Sequence, residues 1–254
     1  MTPKHFLRHY GSTDAAIYAA FFASGMAGLI YEISWSRQIG LLLGHTAEVS
    51  AIVVSCFFTG MAIGCGLAAR LVRRLNPLLG YAIAEWLVAI WACLIPVLFN
   101  LLKHPFMAEL LHHSSFPVQT SMRLGICFLL MLPATIGLGV TLPFIAEVLS
   151  PANRPAPKRI AKAYALNIVG AMLGVMATTA VLFITVGVKG SNWLAAGISA
   201  VCGALVYPLS KRMPRRSPRV GRRAKSERAA ARQNTSAVGS QGRRTLNAFS
   251  CKDL

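Results

Sequence analysis

Eight acidic side chains serve a chain of 254 residues, so any that falls inside an apolar run asks for a chemical reason. Glu85, in GYAIAEWLVAIW, has hydrocarbon on both sides. A glutamate stem is too short to carry its charge from there to a water interface, so the carboxyl needs a partner or a task. It could carry a proton, ligate a cationic group, or accept a structural hydrogen bond from Asn167 or Tyr164 of AYALNIVGA. Glu147 lies where a later apolar run ends, at headgroup level, and completes this candidate intramembrane polar site. A second cluster lies in GLIYEISWSR, where Glu32 and Arg37 stand five residues apart, with His45 and Glu48 following. Five residues place two side chains about 140° apart around a helix, unlike an i, i+4 pair, so a simple intrahelical ion pair is not expected. Either the helix ends near Ser34 to Ser36 and the chain turns back, or each charge meets a partner on another helix, with His45 and Glu48 available. An interfacial belt with Tyr31 and Trp35 is the alternative. His104, His112 and His113 lie near Glu109 without ligand spacing, and six cysteines show no C-x-x-C. Five of those cysteines read as small hydrophobes within apolar runs. No metal and no cofactor are expected.

The elements that position these residues follow from the solvent. The chain is 55% hydrophobic and 13% charged with a mean hydropathy of +0.54, too apolar for one water-soluble core under an ordinary charged surface. A bilayer core of about 30 Å needs roughly 20 apolar residues as a helix. Six stretches qualify, near residues 15–36, 48–69, 78–101, 122–149, 163–187 and 190–209. The expected fold is an all-α membrane protein: a six-helix transmembrane bundle of transporter-like character over 15–209. A segment 1–14 precedes it, and a basic, disordered tail over 210–254 follows. Counted from Ala15, Glu32 lies roughly 25 Å along the first helix, at the rim opposite the N-terminus.

Charge sets the expected direction. Net charge is +18, and half of the 26 basic residues lie at or after Lys211. Between spans, the basic residues gather on the side of the two termini, leaving Arg37, Lys103, Arg123 and Lys189 for the other. The positive-inside rule then places both termini in the cytoplasm. The tail is too polar to bury a core, and its cations suit anionic lipid headgroups. Nucleic acid is the weaker partner, because no aromatics interleave the arginines.

Small residues recur at four-residue spacing in Gly60 with Gly64 and in Gly170 with Gly174, a pattern that lets helix backbones approach closely in lipid. In LPATIGLGVTLPF, Pro133 and Pro143 bracket Gly137 and Gly139. Each proline removes a backbone donor and crowds the preceding turn, so a kinked or broken fourth helix is expected. Such breaks often mark transporter substrate sites.

SGMAGLIYEISWSRQIGLLLGHT, FFTGMAIGCGLAARL, LPATIGLGVTLPF and AYALNIVGAMLG occur in that order over about residues 15–208. Together they resemble the multi-pass membrane domain of the bacterial fused spermidine-synthase-like proteins. The resemblance runs through Gly28, Tyr31, Glu32, Trp35, Arg37, Gly44, His45, Glu85, Thr141, Pro143, Tyr164, Asn167 and Gly170, without assigning them a chemistry. It implies a bacterial inner-membrane location and a link to polyamine aminopropyl transfer. The family's catalytic half is a Rossmann-like domain. Residues 210–254 hold Glu227 and Asp253 as their acids and no glycine-rich turn after a strand, and they are too few to build such a domain. The expected function is therefore a membrane module handling a polyamine, another cation or a proton, not catalytic by itself and served by a separate soluble aminopropyltransferase-like subunit. A small transporter acting as a homodimer, or a structural membrane anchor, is the rival expectation.

Overall fold

A computed structural model describes residues 3–44, 46–102, 116–150 and 156–212. His45, the three outer-loop histidines and nearly all of the basic tail lie outside the described residues. Six helices long and apolar enough to cross a membrane follow one another, and no strand occurs among the described residues. They are α1 (Pro3–Leu43), α2 (Ala47–Leu71), α3 (Pro77–Leu102), α4 (Phe116–Leu149), α5 (the span Pro157–Thr185) and α6 (Gly187–Arg212). The protein is an all-α, multi-pass integral membrane protein. Apolar side chains such as Leu87, Ile90, Val97, Met172 and Ile184 stand exposed along the helices, an arrangement that hydrocarbon rather than water stabilises.

Local signals set several helix ends. Gly44 takes a left-handed φ of 97° where α1 turns, and Thr46 accepts from Val49 N at 3.2 Å as the N-cap of α2. The Asn76 side chain accepts from Leu78 N at 3.1 Å as α3 begins at Pro77. Gly187, with φ 69°, separates α5 from α6. Capping oxygens and left-handed glycines satisfy backbone groups that a helix end leaves open.

Neighbours in space run α5, α1, α6, α3, α4, α2. The inner members α1, α3 and α6 bury aromatic and small residues, among them Tyr31, Trp35, Tyr81, Ala92 and Ala195. Both glycine pairs lie where helices approach most closely. A Cβ at Gly64 would fall on the Ile136 carbonyl of α4, and one at Gly170 or Gly174 would fall on the α1 backbone at Phe22 or Met26. These are the α2–α4 and α1–α5 seams.

Two expectations about helix continuity are corrected. First, α1 does not end near Ser34 to Ser36 but continues to Leu43, because Trp35 and Ile39 continue its buried face. Second, α4 is not broken: it runs from Phe116 to Leu149 through both prolines. Gly137 and Gly139 serve packing on two sides, since added Cβ atoms would strike Val88 of α3 and the Met61 backbone of α2. Pro143 cannot donate to the Gly139 carbonyl one turn earlier, and that carbonyl accepts instead from Cys65 Sγ at 3.2 Å. The interruption lies in α5, where Thr178–Leu182 widens into a π-helical turn before the last turn Phe183–Thr185. Thr178 and Thr179 return hydrogen bonds to the Gly174 and Val175 carbonyls there, a habit that loosens a helix locally.

Candidate functional site

Glu85 stands nine residues into α3, about 12 Å from its start at 1.5 Å per residue, and its side chain is fully buried. The α3 backbone presents Tyr81 and Glu85 one turn apart on the face turned to α1 and α6, while Leu87 and Ile90 face out. Ser24 of α1 donates its hydroxyl to Glu85 Oε1. Tyr81, one turn earlier on α3, Ser199 of α6 and Tyr31 of α1 are further buried hydroxyls in the surroundings of this carboxyl. The Tyr81 hydroxyl itself donates to the Ala20 carbonyl at 3.2 Å. Glu85 Oε2, Tyr31 Oη and Ser199 Oγ have no protein partner at hydrogen-bond geometry among the described residues. No Lys, Arg or His pairs with Glu85 among those residues. The site is thus one carboxyl among hydroxyls contributed by three helices, closed to solvent and without a counter-cation.

The sequence-derived partners of Glu85 are corrected. Asn167 donates to the Phe21 carbonyl of α1 at 2.8 Å, and Tyr164 stands 49% exposed. Both belong to α5, which packs along α1 and not along α3, so α1 separates them from the carboxyl. Glu147 is half-buried two residues before the end of α4. Ser24, Tyr31, Tyr81 and Ser199 form the site instead. The available signal was Tyr81, four residues before Glu85 and therefore on its helix face. Serines on other helices carried no such mark.

Beside this centre, α6 supplies a polar clamp. Asn192 is fully buried; its Nδ2 donates to the Ala92 carbonyl at 2.8 Å, and its Oδ1 accepts from Trp35 Nε1 at 2.8 Å. Pro96 lies four residues after Ala92 in α3, so its missing N–H leaves that carbonyl without its helical donor. One amide thereby satisfies the proline-freed carbonyl and joins α1, α3 and α6.

The residues expected at the outer rim separate, and because α1 continues to Leu43, Glu32 stands eleven residues before its end rather than at the rim. Glu48 accepts from Thr120 Oγ1 at 2.9 Å, tying the start of α2 to α4. Glu32 and Arg37 form no ion pair with each other, yet both line an open cavity of about 310 Å³. No group of three or more His, Cys, Asp or Glu side chains suited to a metal occurs among the described residues. Cys56 and Cys127 are buried among apolar neighbours, Cys202 is buried with its Sγ donating to the Ala20 carbonyl at 3.4 Å, and Cys65 is the exposed donor to α4.

Fold and site together define a polytopic helical membrane protein with an uncompensated acidic centre inside the bundle. Compared with known protein families, curated proteins and solved structures, the chain has no significant match.

Proposed function

We propose that this protein is a membrane module that handles protons through Glu85. The observation that carries the reading is a fully buried carboxyl with one oxygen unpartnered and no basic side chain beside it. Charge on such a group is offset only by what reaches it, and the closed packing favours a proton over a bulky polyamine. Ser24 donates to the carboxyl, and Tyr31, Tyr81 and Ser199 place further hydroxyls in the same buried region, from which a relay would form by side-chain rotation. The resemblance to the spermidine-synthase-like membrane domain supports a setting in the bacterial inner membrane, and the distribution of basic residues between the spans supports cytoplasmic termini. A separate aminopropyltransferase-like subunit would then act on the cytoplasmic side, and the cations of the basic tail would suit anionic headgroups.

The test is proton flux into liposomes containing the purified full chain and an internal pH-sensitive dye, under an imposed potential. Flux should appear with the native chain and fall at least tenfold in Glu85→Gln. A native chain that passes no protons, or a Glu85→Gln chain that passes them equally, would overturn the reading in favour of a structural anchor. Spermidine uptake under the same conditions that also depends on Glu85 would show that the closed packing opens to admit a larger cation.

A further inference from the structure

Beyond Ser24, the buried face of α1 stays polar. Tyr31, Ser34 and Gln38 follow one another toward the end of the helix, 0%, 0% and 9% exposed. At about 100° per residue, Ser24, Tyr31, Ser34 and Gln38 fall within a sector of about 80°. From that sector Ser24 reaches Glu85. Tyr31 Oη, Ser34 Oγ and Gln38 Nε2 have no protein hydrogen-bond partner among the described residues, and neither does Glu85 Oε2. A buried polar atom left unpaired is costly, and several along one helix face are accounted for when water supplies the partners. The rise is about 4.5 Å from Tyr31 to Ser34 and about 6 Å from Ser34 to Gln38. One water bonded to both neighbours spans about that distance.

On the N-terminal side of Glu85 the surroundings change. Ile17 and Phe21 of α1, Leu78 of α3, Phe144 of α4 and Val206 of α6 belong to one buried apolar cluster. Tyr81 Oη and Cys202 Sγ both donate to the Ala20 carbonyl there, and Ser210 Oγ donates to the Tyr207 carbonyl. Unpartnered polar atoms thus continue from the carboxyl in one direction, and apolar packing closes the other. We propose that a single file of water, held by Tyr31, Ser34 and Gln38, connects Glu85 with the end of the bundle opposite the N-terminus. The file takes its purpose, though not its geometry, from the proton-handling reading of Glu85. A proton entering at Gln38 moves by hops in which each water gains one proton and releases another. The last O–H bond forms on the Glu85 carboxylate, and no water is consumed. Because Tyr31 and Ser34 are fully buried, the file admits water and protons but no larger solute.

X-ray radiolytic footprinting of the detergent-purified full chain, read by mass spectrometry, tests the proposal, because hydroxyl radicals made from a bound water oxidise the side chain beside it. Tyr31 and Tyr81 are both fully buried, so burial alone predicts equal protection. With the file present, Tyr31 should be oxidised at least tenfold faster than Tyr81. Gln38→Met keeps the side chain's length and removes its polarity. It should slow Tyr31 oxidation and Glu85-dependent proton flux at least tenfold each and leave Tyr81 unchanged. Ser34→Ala, the smaller change, should slow both at least threefold, and native gel-filtration elution shows that each variant is folded. Equal protection of the two tyrosines overturns the file, even where Glu85-dependent flux is found and the proton-handling reading stands. Tyr31 oxidation or Glu85-dependent flux unaffected in both variants also overturns it. Fast Tyr31 oxidation that the variants slow, in a chain that passes no protons, leaves the file standing and removes the proton-handling reading.

Discussion

Glu85 and Glu32 are both carboxylates on apolar helices, yet the bundle treats them in opposite ways. Around Glu85, α1, α3 and α6 close completely and supply hydroxyls without a cation. Around Glu32, α1, α2 and α5 leave a groove open and hold a guanidinium on its far rim. Packing accounts for the difference. One face of α1 meets α3 and α6, and the three helices close around the Glu85 carboxyl. The opposite face of α1 leaves a groove against α2 and the end of α5, and Glu32 and Arg37 line it. An enclosed carboxyl suits an exchangeable proton, whereas the groove leaves its two charges within reach of solvent.

The sharpest way to break this contrast is one substitution made in both places. Glu85→Lys inserts a longer cation among buried hydroxyls, with no acid to meet it. It should destabilise the fold by about 3 kcal/mol or more. Glu32→Lys, half-buried beside the open groove, should change stability by less than about 0.5 kcal/mol. Reversible unfolding in mixed micelles measures both, and similar losses at the two positions would erase the distinction.

Asn192→Ala comes next. It leaves the Ala92 carbonyl and Trp35 Nε1 unpartnered beside the closed centre, which should cost about 2 kcal/mol. The same unfolding assay, with tryptophan emission as a second probe, should show the loss together with a changed Trp35 environment. A change under about 0.5 kcal/mol would mean that the clamp is dispensable.

Water access gives a direct comparison of the two regions. Ser50→Cys should react readily with a membrane-impermeant maleimide added to the groove's side, and Ser24→Cys should stay unreacted until the protein unfolds. Equal labelling would show that the Glu85 centre is open. The smallest expected effect is Cys65→Ala, which removes the sulfhydryl donor to the Gly139 carbonyl. The loss should be about 0.5 kcal/mol, because a thiol is a weak donor and the seam around it is held by backbone contact.

Much of the architecture was legible in the residues. Apolar runs of bilayer length announced six helices in order, and the Gly60–Gly64 and Gly170–Gly174 spacings marked the two closest seams. The depth of Glu85 in its run marked it as the unusual acid. The errors share one cause, which is reading a backbone consequence from residue type alone. Pro133 and Pro143 suggested a broken α4, but a packed helix continues through a proline when a neighbour supplies the missing donor, as Cys65 does for Gly139. Threonines at 178 and 179 drew no notice, yet α5 widens there into its π-helical turn. Asn167 looked like the partner of Glu85 because both are polar and within spans, and α1 stands between them.

By itself, then, the order of residues determined the solvent, the number of crossings and the places where backbones can touch. Each of these depends on hydropathy or side-chain size within one run, and both can be read locally. Tertiary structure alone decided which polar groups meet. Ser24 with Glu85, Trp35 with Asn192, and Glu48 with Thr120 depend on how each helix is rotated about its own axis. In lipid the outward faces of all six helices are equally apolar, so hydropathy does not set that rotation. It is set by close packing and hydrogen bonds between helices, which exist only once the bundle has assembled.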